Sequence, residues 1–423
     1  MILSFQIFGT NSFFPSPQNK WIISRPPWVS NPIFLLLLLG LVSLFADATY
    51  EGGRSVFGPY LKLVGFSISE IALIVGAGEM IGYGLRIFSG YFCDRTKRYW
   101  LFVVIGYVVN LMAIPMLAFA KGGSLVIFLI ILERVGKAIR SPAKDVLLSF
   151  STKKIGRGIG FGIHEAMDQI GAIVGPLSVA FILFYHQDHY ALAFLFLLIP
   201  SILCLITLFI TLLMWPKPQM FESSPPMISS QGMSFPSHFW WYVVGVVFFA
   251  FGFVDFPVLA YHFSDGGISD FFHSFPFSKV PAYYAFAMGV DGLASLFLGY
   301  LFDRVSLFAV MLSVILSCAV GPLIFLGHSS IATLVGIFLW GISMGAQESI
   351  VRAHIANIVV PSKRGTGYGI FNALYGTSWF VGSFLIAFLY QKTVMGAALL
   401  SCVSQLISLV FFMVSFIKLR KNQ

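Results

Sequence analysis

The stretch GYFCDR at residues 90–95 ends one long apolar run, and a close copy, GYLFDR, ends another at residues 299–304. The two copies begin 209 residues apart. A second pair of copies, RGIGFG at residues 157–162 and RGTGYG at residues 364–369, has an offset of 207 residues. Because the two offsets nearly agree, we infer that the chain consists of two homologous halves related by a pseudo-twofold axis.

A Pro- and Ser-rich stretch, PKPQMFESSPPMISSQGMSFPS, separates the halves at residues 216–237. This composition is typical of a flexible linker, because it offers few side chains that pack in a core. The N-terminal stretch MILSFQIFGTNSFF has no basic residue before its apolar ones, so we expect a tail rather than a cleaved signal peptide. We predict a tail at residues 1–32, a first bundle at 33–214, a linker at 215–239, a second bundle at 240–418 and a tail at 419–423.

The composition indicates that lipid is the solvent for much of this chain. It is 58% hydrophobic and 10% charged, whereas a soluble chain carries about 25% charged residues. An apolar run spans a hydrocarbon core of about 30 Å when it holds about 20 helical residues. We predict an all-α membrane protein with twelve transmembrane helices in two six-helix bundles. The runs lie at residues 33–60, 70–92, 100–120, 124–147, 158–185, 191–214, 240–263, 281–302, 307–327, 331–355, 366–391 and 395–418.

The 26 Lys and Arg residues are unevenly distributed around these runs. With a cytoplasmic N-terminus, the tails and cytoplasmic loops hold 15 of them, the opposite loops hold four, and seven lie inside the spans. Because basic residues accumulate on the cytoplasmic side, we expect a multi-pass protein of the cell membrane with both termini and the linker in the cytoplasm. The net charge of +9 then faces lipid headgroups rather than nucleic acid. We expect a monomer in the lipid bilayer.

The loop sequence GYFCDRTKRYW at residues 90–100 resembles the signature G-x-L-x-D-R-x-G-R-K/R of the major facilitator superfamily. Phe92 replaces the usual leucine, and Lys97 replaces the usual glycine. The stretch ERVGKAIRSP at residues 133–142 resembles the arginine-bearing motif of the family's fourth helix, with Ala138 where glycine is usual. The loop signature, together with its repeat in the second half, is specific for the fold, but none of these motifs is specific for a substrate.

The fifth run carries GAIVGP at residues 171–176, which is similar to the G-x-x-x-G-P of the family's antiporter motif but lacks the Gly-Gly that normally follows. The resemblance covers residues 33–418. It implies a secondary active transporter that carries a small organic solute through a midplane cavity by alternating access, with inverted three-helix repeats in each bundle. The antiporter-like stretch favours proton-coupled export.

The resemblance also implies a latch that stabilises one access state. Its carboxylate would lie near a helix N-terminus of the other half, where the helix dipole favours a negative charge. The alternative is a basic loop that only sets the topology. The residues concerned are Gly90, Asp94, Arg95 and Arg98, with Gly299, Asp303 and Arg304 in the second half.

Ionisable side chains inside the spans are costly, at least about 2.5–3.5 kcal/mol each near a helix centre, and therefore indicate function or a partner. Asp47, Glu51 and Arg54 share one helix face, which we expect to line the central cavity. Asp255 lies 208 residues after Asp47, and we assign it to solute contact. The other cavity candidates are Glu79, Arg86, Arg134, Lys137, Arg140, Glu165, Asp168, Asp291, Glu348 and Arg352.

Spans four and five contain matching charges if they form an antiparallel hairpin. Arg140 then lies level with Asp168, and Lys144 lies level with Glu165. We therefore predict two interhelical ion pairs, which either lock the helices together or take part in transport.

We expect ion coupling in the first half, where charge is concentrated, because Arg352 of the second half can pair with Glu348 one turn earlier. A carboxylate changes its proton affinity when its surroundings alternate between dry and hydrated. Asp47 or Glu51 is therefore our candidate for proton coupling. Arg54 would hold one of these two acids ionised and leave the other to titrate.

The sequence gives little support to an enzyme. HEAMD at residues 164–168 lacks the second histidine of the zinc motif HExxH. The four cysteines have no CxxC spacing, and no GxxxxGK[ST] signature for ATP occurs. We therefore predict no enzymatic activity, no cofactor and no metal site. The alternatives to a coupled transporter are an uncoupled facilitator, a transporter-like sensor or scaffold, and a membrane-embedded enzyme.

Overall fold

The computed structural model describes residues 31–66, 68–153, 155–186, 189–221, 235–256, 258–259, 262, 279–327 and 329–421 of the chain. These ranges contain helices joined by short connections, and no β-strand. The predicted N-terminal tail and most of the predicted linker lie outside them. The first half consists of α1 (Pro32–Arg54), α2 (Phe57–Val64), α3 (Ile68–Thr96), α4 (Tyr99–Met116), α5 (Gly123–Thr152), α6 (Arg157–Tyr185), α7 (Tyr190–Phe196) and α8 (Leu198–Met214). The second half consists of α9 (Ser237–Phe251), α10 (Lys279–Val305), α11 (Leu307–Cys318), α12 (Val320–Phe325), α13 (Ser330–Glu348), α14 (Ile350–Ile358), α15 (Arg364–Lys392) and α16 (Val394–Lys421).

The described helices follow the positions of the predicted apolar runs. Nine helical segments within the described ranges are long and apolar enough to cross a membrane. These nine do not include α3 and α5, which carry charged side chains in their central turns, or α9, which has 15 residues. The prediction of an all-α membrane protein is confirmed, whereas the count of twelve spans stays a prediction.

The seventh predicted run, residues 240–263, is not one continuous helix. The helix α9 ends one residue before Gly252, and the hydroxyl of Ser401 donates to the Gly252 carbonyl at 2.7 Å. This bond satisfies one of the carbonyls that a helix end leaves free. The Asp255 carboxylate then accepts the N–H of Phe256 at 2.9 Å. Asp255 therefore lies in a break of the span.

The two halves meet along two helix pairs. Helix α3 of the first half packs along α15 of the second half, and α6 of the first half packs along α10. Because α10 repeats α3 and α15 repeats α6, the two contacts are related by the pseudo-twofold axis. Within the first half, α6 packs mainly on α1, whereas α5 packs mainly on α4 and α3. Helices α5 and α6 therefore do not form the closely packed hairpin that was expected.

The outer surface of the bundles is apolar. Leu177, Phe181, Leu293, Phe297 and Phe384 are each more than 60% exposed. Because large apolar side chains are unfavourable in water, such positions face lipid. The structure is that of a multi-pass membrane protein.

Candidate functional site

Asp94, near the end of α3, reaches the N-terminus of α15 in the other half. Its carboxylate accepts the backbone N–H groups of Gly365 at 2.9 Å and Thr366 at 2.5 Å. The first N–H groups of a helix have no intrahelical partner, and the helix dipole favours a negative charge there. Asp94 therefore satisfies two free donors and joins the two halves.

Asp303, near the end of α10, makes the equivalent contact with the N-terminus of α6. Its carboxylate oxygens accept the N–H groups of Gly158 at 2.8 Å and Ile159 at 2.9 Å. The geometry that the signature implied for Asp94 thus occurs twice, once in each half. We call the end of the molecule that carries these two contacts the latch end. Its role in transport stays a prediction.

Two signature glycines permit these contacts. A Cβ atom on Gly90 would collide with the backbone of Gly365, and a Cβ atom on Gly299 would collide with the backbone of Gly158. Each glycine precedes its aspartate by four residues, so it lies one turn away on the same helix face. Both helix pairs can therefore approach backbone to backbone beside the carboxylate.

The arginines of the signature do not share this position. Arg95 and Arg98 are exposed and make no hydrogen bond or ion pair with any described residue of the other half. Arg304 is also exposed, and its guanidinium lies 4.3 Å from the centre of the Tyr300 ring. The glycines and carboxylates join the halves, whereas these three arginines remain at the surface.

Other basic residues do cross between the halves at the latch end, and the sequence did not indicate them. The Lys97 ammonium donates to the carbonyl of Ser362, and Arg364 donates to the hydroxyl of Ser149 at 3.2 Å. Lys97 has a positive φ of 56°. Glycine is the usual residue at this place in the family signature, because it adopts such a backbone conformation without steric cost. Lys97 therefore has a strained backbone conformation, and its side chain forms a contact between the halves.

A network of charges connects α1, α3 and α5. Arg54 lies 3.7 Å from Glu51 and 3.2 Å from Glu79, which in turn lies 3.1 Å from Arg134. The hydroxyl of Tyr50 accepts hydrogen bonds from Arg134 at 2.5 Å and from Arg54 at 3.2 Å. The side chain of Arg54 is 44% exposed, whereas that of Arg134 is 2% exposed. The network therefore runs from an open face into the protein interior.

Three candidate residues lie near this network without an ion pair. The Lys137 ammonium lies 3.5 Å from the centre of the Tyr50 ring, and the Arg140 guanidinium lies 4.2 Å from the centre of the Tyr107 ring. Asp47 interacts electrostatically with both cations. Among the described residues, however, none of the three makes a salt bridge within 4.0 Å.

Lys144 is paired with Asp168, which lies about one turn further along α6 than Glu165, the predicted partner. The ammonium lies 3.7 Å from the carboxylate and donates to the hydroxyl of Ser43 on α1 at 3.1 Å. His164 also contacts Asp168, with its Nδ1 3.3 Å from the carboxylate. All four side chains are buried.

Both predicted ion pairs between α5 and α6 are therefore wrong. Arg140 stacks on an aromatic ring instead of contacting Asp168, and Glu165 faces the second half instead of Lys144. The prediction counted depth along a straight hairpin. In the structure α1 packs on α6 and contributes Ser43 beside Lys144, so the level of each contact depends on a third helix.

Three carboxylates from both halves converge near the middle of the molecule. Glu165 on α6, Asp291 on α10 and Glu348 on α13 place carboxylate oxygens within 4.8 Å of one another. The amide of Gln169 contacts all three acids. Arg352 lies 3.9 Å from Glu348, as expected, and also 3.9 Å from Glu165. We call these three acids the acid cluster.

Arg86 also crosses between the halves. It donates to the Asn372 side chain at 3.2 Å and lies 4.2 Å from the centre of the Tyr83 ring. Asn372 donates in turn to Asp145 at 3.4 Å. Arg86 and Glu79 share α3, but Arg86 contacts the second half whereas Glu79 contacts Arg54 and Arg134.

The polar contacts described above between the halves share one side of the molecule. Each of them lies at the acid cluster or between it and the latch end. Gln169 is 12 residues from the start of α6, or roughly 18 Å along the helix. That depth is about the middle of a hydrocarbon core of about 30 Å. The halves are thus closed from the midplane to the latch end.

The chain sequence matches the family model of the Major Facilitator Superfamily at residues 37–383 and 280–422. The chain belongs to this superfamily. It is also similar to an uncharacterized protein of Mycobacterium tuberculosis, Rv2265, with 34% identity over 366 residues, 84% of this chain and 87% of that protein. An uncharacterized MFS-type transporter of Methanocaldococcus jannaschii, MJ1317, is 35% identical over 148 residues, 35% of this chain and 37% of that protein.

Solved structures of the superfamily share this fold. The human organic anion transporter MFSD10 (TETRAN) superposes with a TM-score of 0.70 at 14% identity, covering 92% of this chain and all of that one. A bacterial homologue of the iron transporter ferroportin, in an outward-facing state, gives 0.67 at 14% identity and covers 90% and 99%. At this identity the likeness shows the fold alone. Membership of the superfamily makes this protein a membrane transporter of small-molecule solutes.

Proposed function

We propose that the protein is a secondary active transporter that moves a small organic solute by alternating access, with the solute site between the two bundles. The observation that carries this proposal is the exposure of charged side chains at membrane depth. Arg54, Glu79 and Arg352 have 44%, 26% and 24% of their side chains exposed. Charged residues inside a span face the bundle interior or a water-filled cavity, so these side chains line an aqueous cavity.

The asymmetry of the contacts between the halves supports alternating access. The contacts of Asp94 and Asp303 close one side of the cavity, and they must separate before solute can pass that side. The lining charges have both signs, which suits an anionic, zwitterionic or amphipathic solute. Asp255, in the break of the seventh span, is the candidate for solute contact in the second half.

We also propose that transport is coupled to protons through Asp47. Glu51 is paired with Arg54, and Glu79 is paired with both Arg54 and Arg134, whereas Asp47 has no ion-pair partner among the described residues. Asp47 is therefore the carboxylate left to take up and release a proton as its surroundings change. The GAIVGP stretch at residues 171–176, with its likeness to the antiporter motif, supports export.

The test begins with a thermal-shift screen of the purified protein to find a solute, followed by flux measurements in proteoliposomes. We expect an imposed pH gradient to drive net flux in the native protein. D47N should abolish gradient-driven flux but retain solute exchange, whereas E51Q, which removes an acid already paired with Arg54, should remain coupled. Native flux that ignores the gradient would make this an uncoupled facilitator. Gradient-driven flux in D47N would place the coupling residue elsewhere.

We propose that the latch end and both termini face the cytoplasm, as the distribution of basic residues favours. Lys121, exposed between α4 and α5, lies at the end opposite to Asp94. A cysteine at Lys121 should react with an impermeant maleimide in intact cells, and a cysteine at Ser229 should react only after lysis. Labelling of the Ser229 position from outside would reverse the orientation.

A further inference from the structure

The acid cluster directs three carboxylate oxygens at one point. The nitrogen Nε2 of Gln169 occupies that point, at 3.0 Å from Glu165 Oε1, 3.0 Å from Asp291 Oδ2 and 3.4 Å from Glu348 Oε2. A side-chain amide has two N–H protons, so three acceptors share two donors. The amide nitrogen stands where a cation would be held by anionic oxygens from three helices.

The other atom of this amide has no partner. Gln169 is 7% exposed, and its Oε1 is buried without a hydrogen bond. An unpaired buried oxygen is unfavourable. Half a turn of the amide exchanges its two atoms, and a rotation of the Gln169 side chain away from the central point would leave room there for an ion with Oε1 beside it. The site would then offer four oxygens, one of them neutral.

The charges of the acid cluster do not balance. Its three acids, when ionised, carry three negative charges, and Arg352 supplies one positive charge at 3.9 Å from two of them. Glu165 is 4% exposed and Asp291 is fully buried, so water does little to screen the excess. Glu348 lies at the C-terminal end of α13, where the helix dipole also favours a cation. One divalent cation would neutralise the remaining two charges.

The spacing and the chemistry of the donors fit a small hard ion. Three atoms that lie within 4.8 Å of one another leave a central point no more than about 2.8 Å from each, and calcium binds oxygen at about 2.3–2.6 Å. Carboxylate and amide oxygens are the ligands of magnesium, manganese and calcium rather than of soft metals. We propose that Glu165, Asp291 and Glu348, with Gln169, bind one hard divalent cation that joins the two halves in this closed state.

The test uses the full-length protein in detergent, stripped with EDTA, with Mn²⁺ as the probe and the signal of free Mn²⁺ in electron paramagnetic resonance as the readout. We expect one Mn²⁺ per chain, displaced by Ca²⁺. D291N and E348Q should each weaken binding at least about tenfold, since even residues that only support a metal ligand change affinity by about 10- to 100-fold. The matched control is E133Q, which removes an equally buried carboxylate outside the acid cluster and should bind Mn²⁺ as the native chain does.

Two further measurements keep the proposal falsifiable if a neutral variant does not fold. E348D retains the charge but withdraws the carboxylate by one methylene, and it should also weaken Mn²⁺ binding. In a chain with a cysteine at Ser149, which is buried at the latch end, Mn²⁺ should slow alkylation because the ion joins the halves. Absence of Mn²⁺ binding by the folded native chain would refute the site. Binding that survives D291N and E348Q together would place the ion elsewhere.

Discussion

Replacement of Asp94 by asparagine tests whether the signature carboxylate controls access. The substitution keeps the size of the side chain and removes its charge. In the closed state Asp94 is 8% exposed and accepts two backbone N–H groups of the other half. In an open state the same carboxylate would be hydrated. The effect of D94N should therefore fall on the closed state alone.

The contacts set the magnitude of this effect. Asparagine offers one carbonyl oxygen and turns its amino group toward the second N–H, so at least one hydrogen bond to a charged group is lost, at about 1.5–3 kcal/mol. Loss of the charge at the N-terminus of α15 adds about 0.3–1 kcal/mol. The sum is about 2–4 kcal/mol, or about 30- to 800-fold in the equilibrium between closed and open states at about 1.4 kcal/mol per factor of ten.

The rate of cysteine alkylation reports this equilibrium. Ser149 is fully buried and accepts a hydrogen bond from Arg364 across the halves, so a cysteine there reacts only when the latch end opens. In a chain with its native cysteines replaced, D94N should raise the alkylation rate by the factor above. R95Q changes the charge of the same loop at an exposed residue and should leave the rate unchanged. A rate in D94N within about twofold of the parent, or an equal rise in R95Q, would leave the loop with a topological role only.

Three further substitutions test individual contacts. For the Lys144–Asp168 pair, removal of one buried partner should lower the free energy of unfolding by about 3–5 kcal/mol, and removal of both should lower it less. A double-mutant cycle of unfolding should show coupling for this pair and none for Arg140 with Asp168. At Lys97, alanine should be less stable than glycine by about 1 kcal/mol in denaturant unfolding, because a left-handed backbone costs an L-residue about 1–2 kcal/mol; an equal or higher stability of the alanine variant would contradict the strained backbone. The substitution Y50F keeps the ring under Lys137 but removes the acceptor of two arginine hydrogen bonds, so it should destabilise the protein by about 1.5–3 kcal/mol; an unchanged unfolding midpoint would show that the arginines find other acceptors.

The family resemblance implied that the Asp94 carboxylate lies near a helix N-terminus of the other half, and the structure shows this contact. The offsets of 209 and 207 residues put Asp303 and the RG-x-G-x-G copies at equivalent positions in the two halves. A pseudo-twofold axis therefore requires that the contact of Asp94 be repeated by Asp303, as it is in the structure. The all-helical membrane architecture followed from composition for a similar reason, because a long apolar run in lipid has few alternatives to a helix.

Pairing inside the first half could not be predicted in the same way. Counting residues along α5 and α6 gives depth along two axes but not the direction in which each side chain points. The partner of Lys144 depends on α1, whose Ser43 lies beside the ammonium, and no local pattern in the sequence encodes that third helix. The break before Asp255 was missed for the same reason, since the hydroxyl that stabilises it comes from Ser401 in the last span.

The acid cluster left a signal in the sequence that a count of charges reveals. The predicted spans of the second half contain Asp255, Asp291 and Glu348 but, apart from Lys418 at the end of the last span, a single cation, Arg352. Away from that end, their ionised side chains carry an excess of two negative charges. The spans of the first half hold eight acids and six bases, and the structure joins several of them in a continuous network. A membrane interior cannot hold an excess of buried charge without a compensating partner. The deficit of cations in the second half therefore requires a cation from the first half, a bound ion or protons. At the acid cluster, Glu165 of the first half adds a further negative charge. Concentration of charge in the first half is thus a poor guide to where an ion binds, and the better guide is the place where the charges fail to balance.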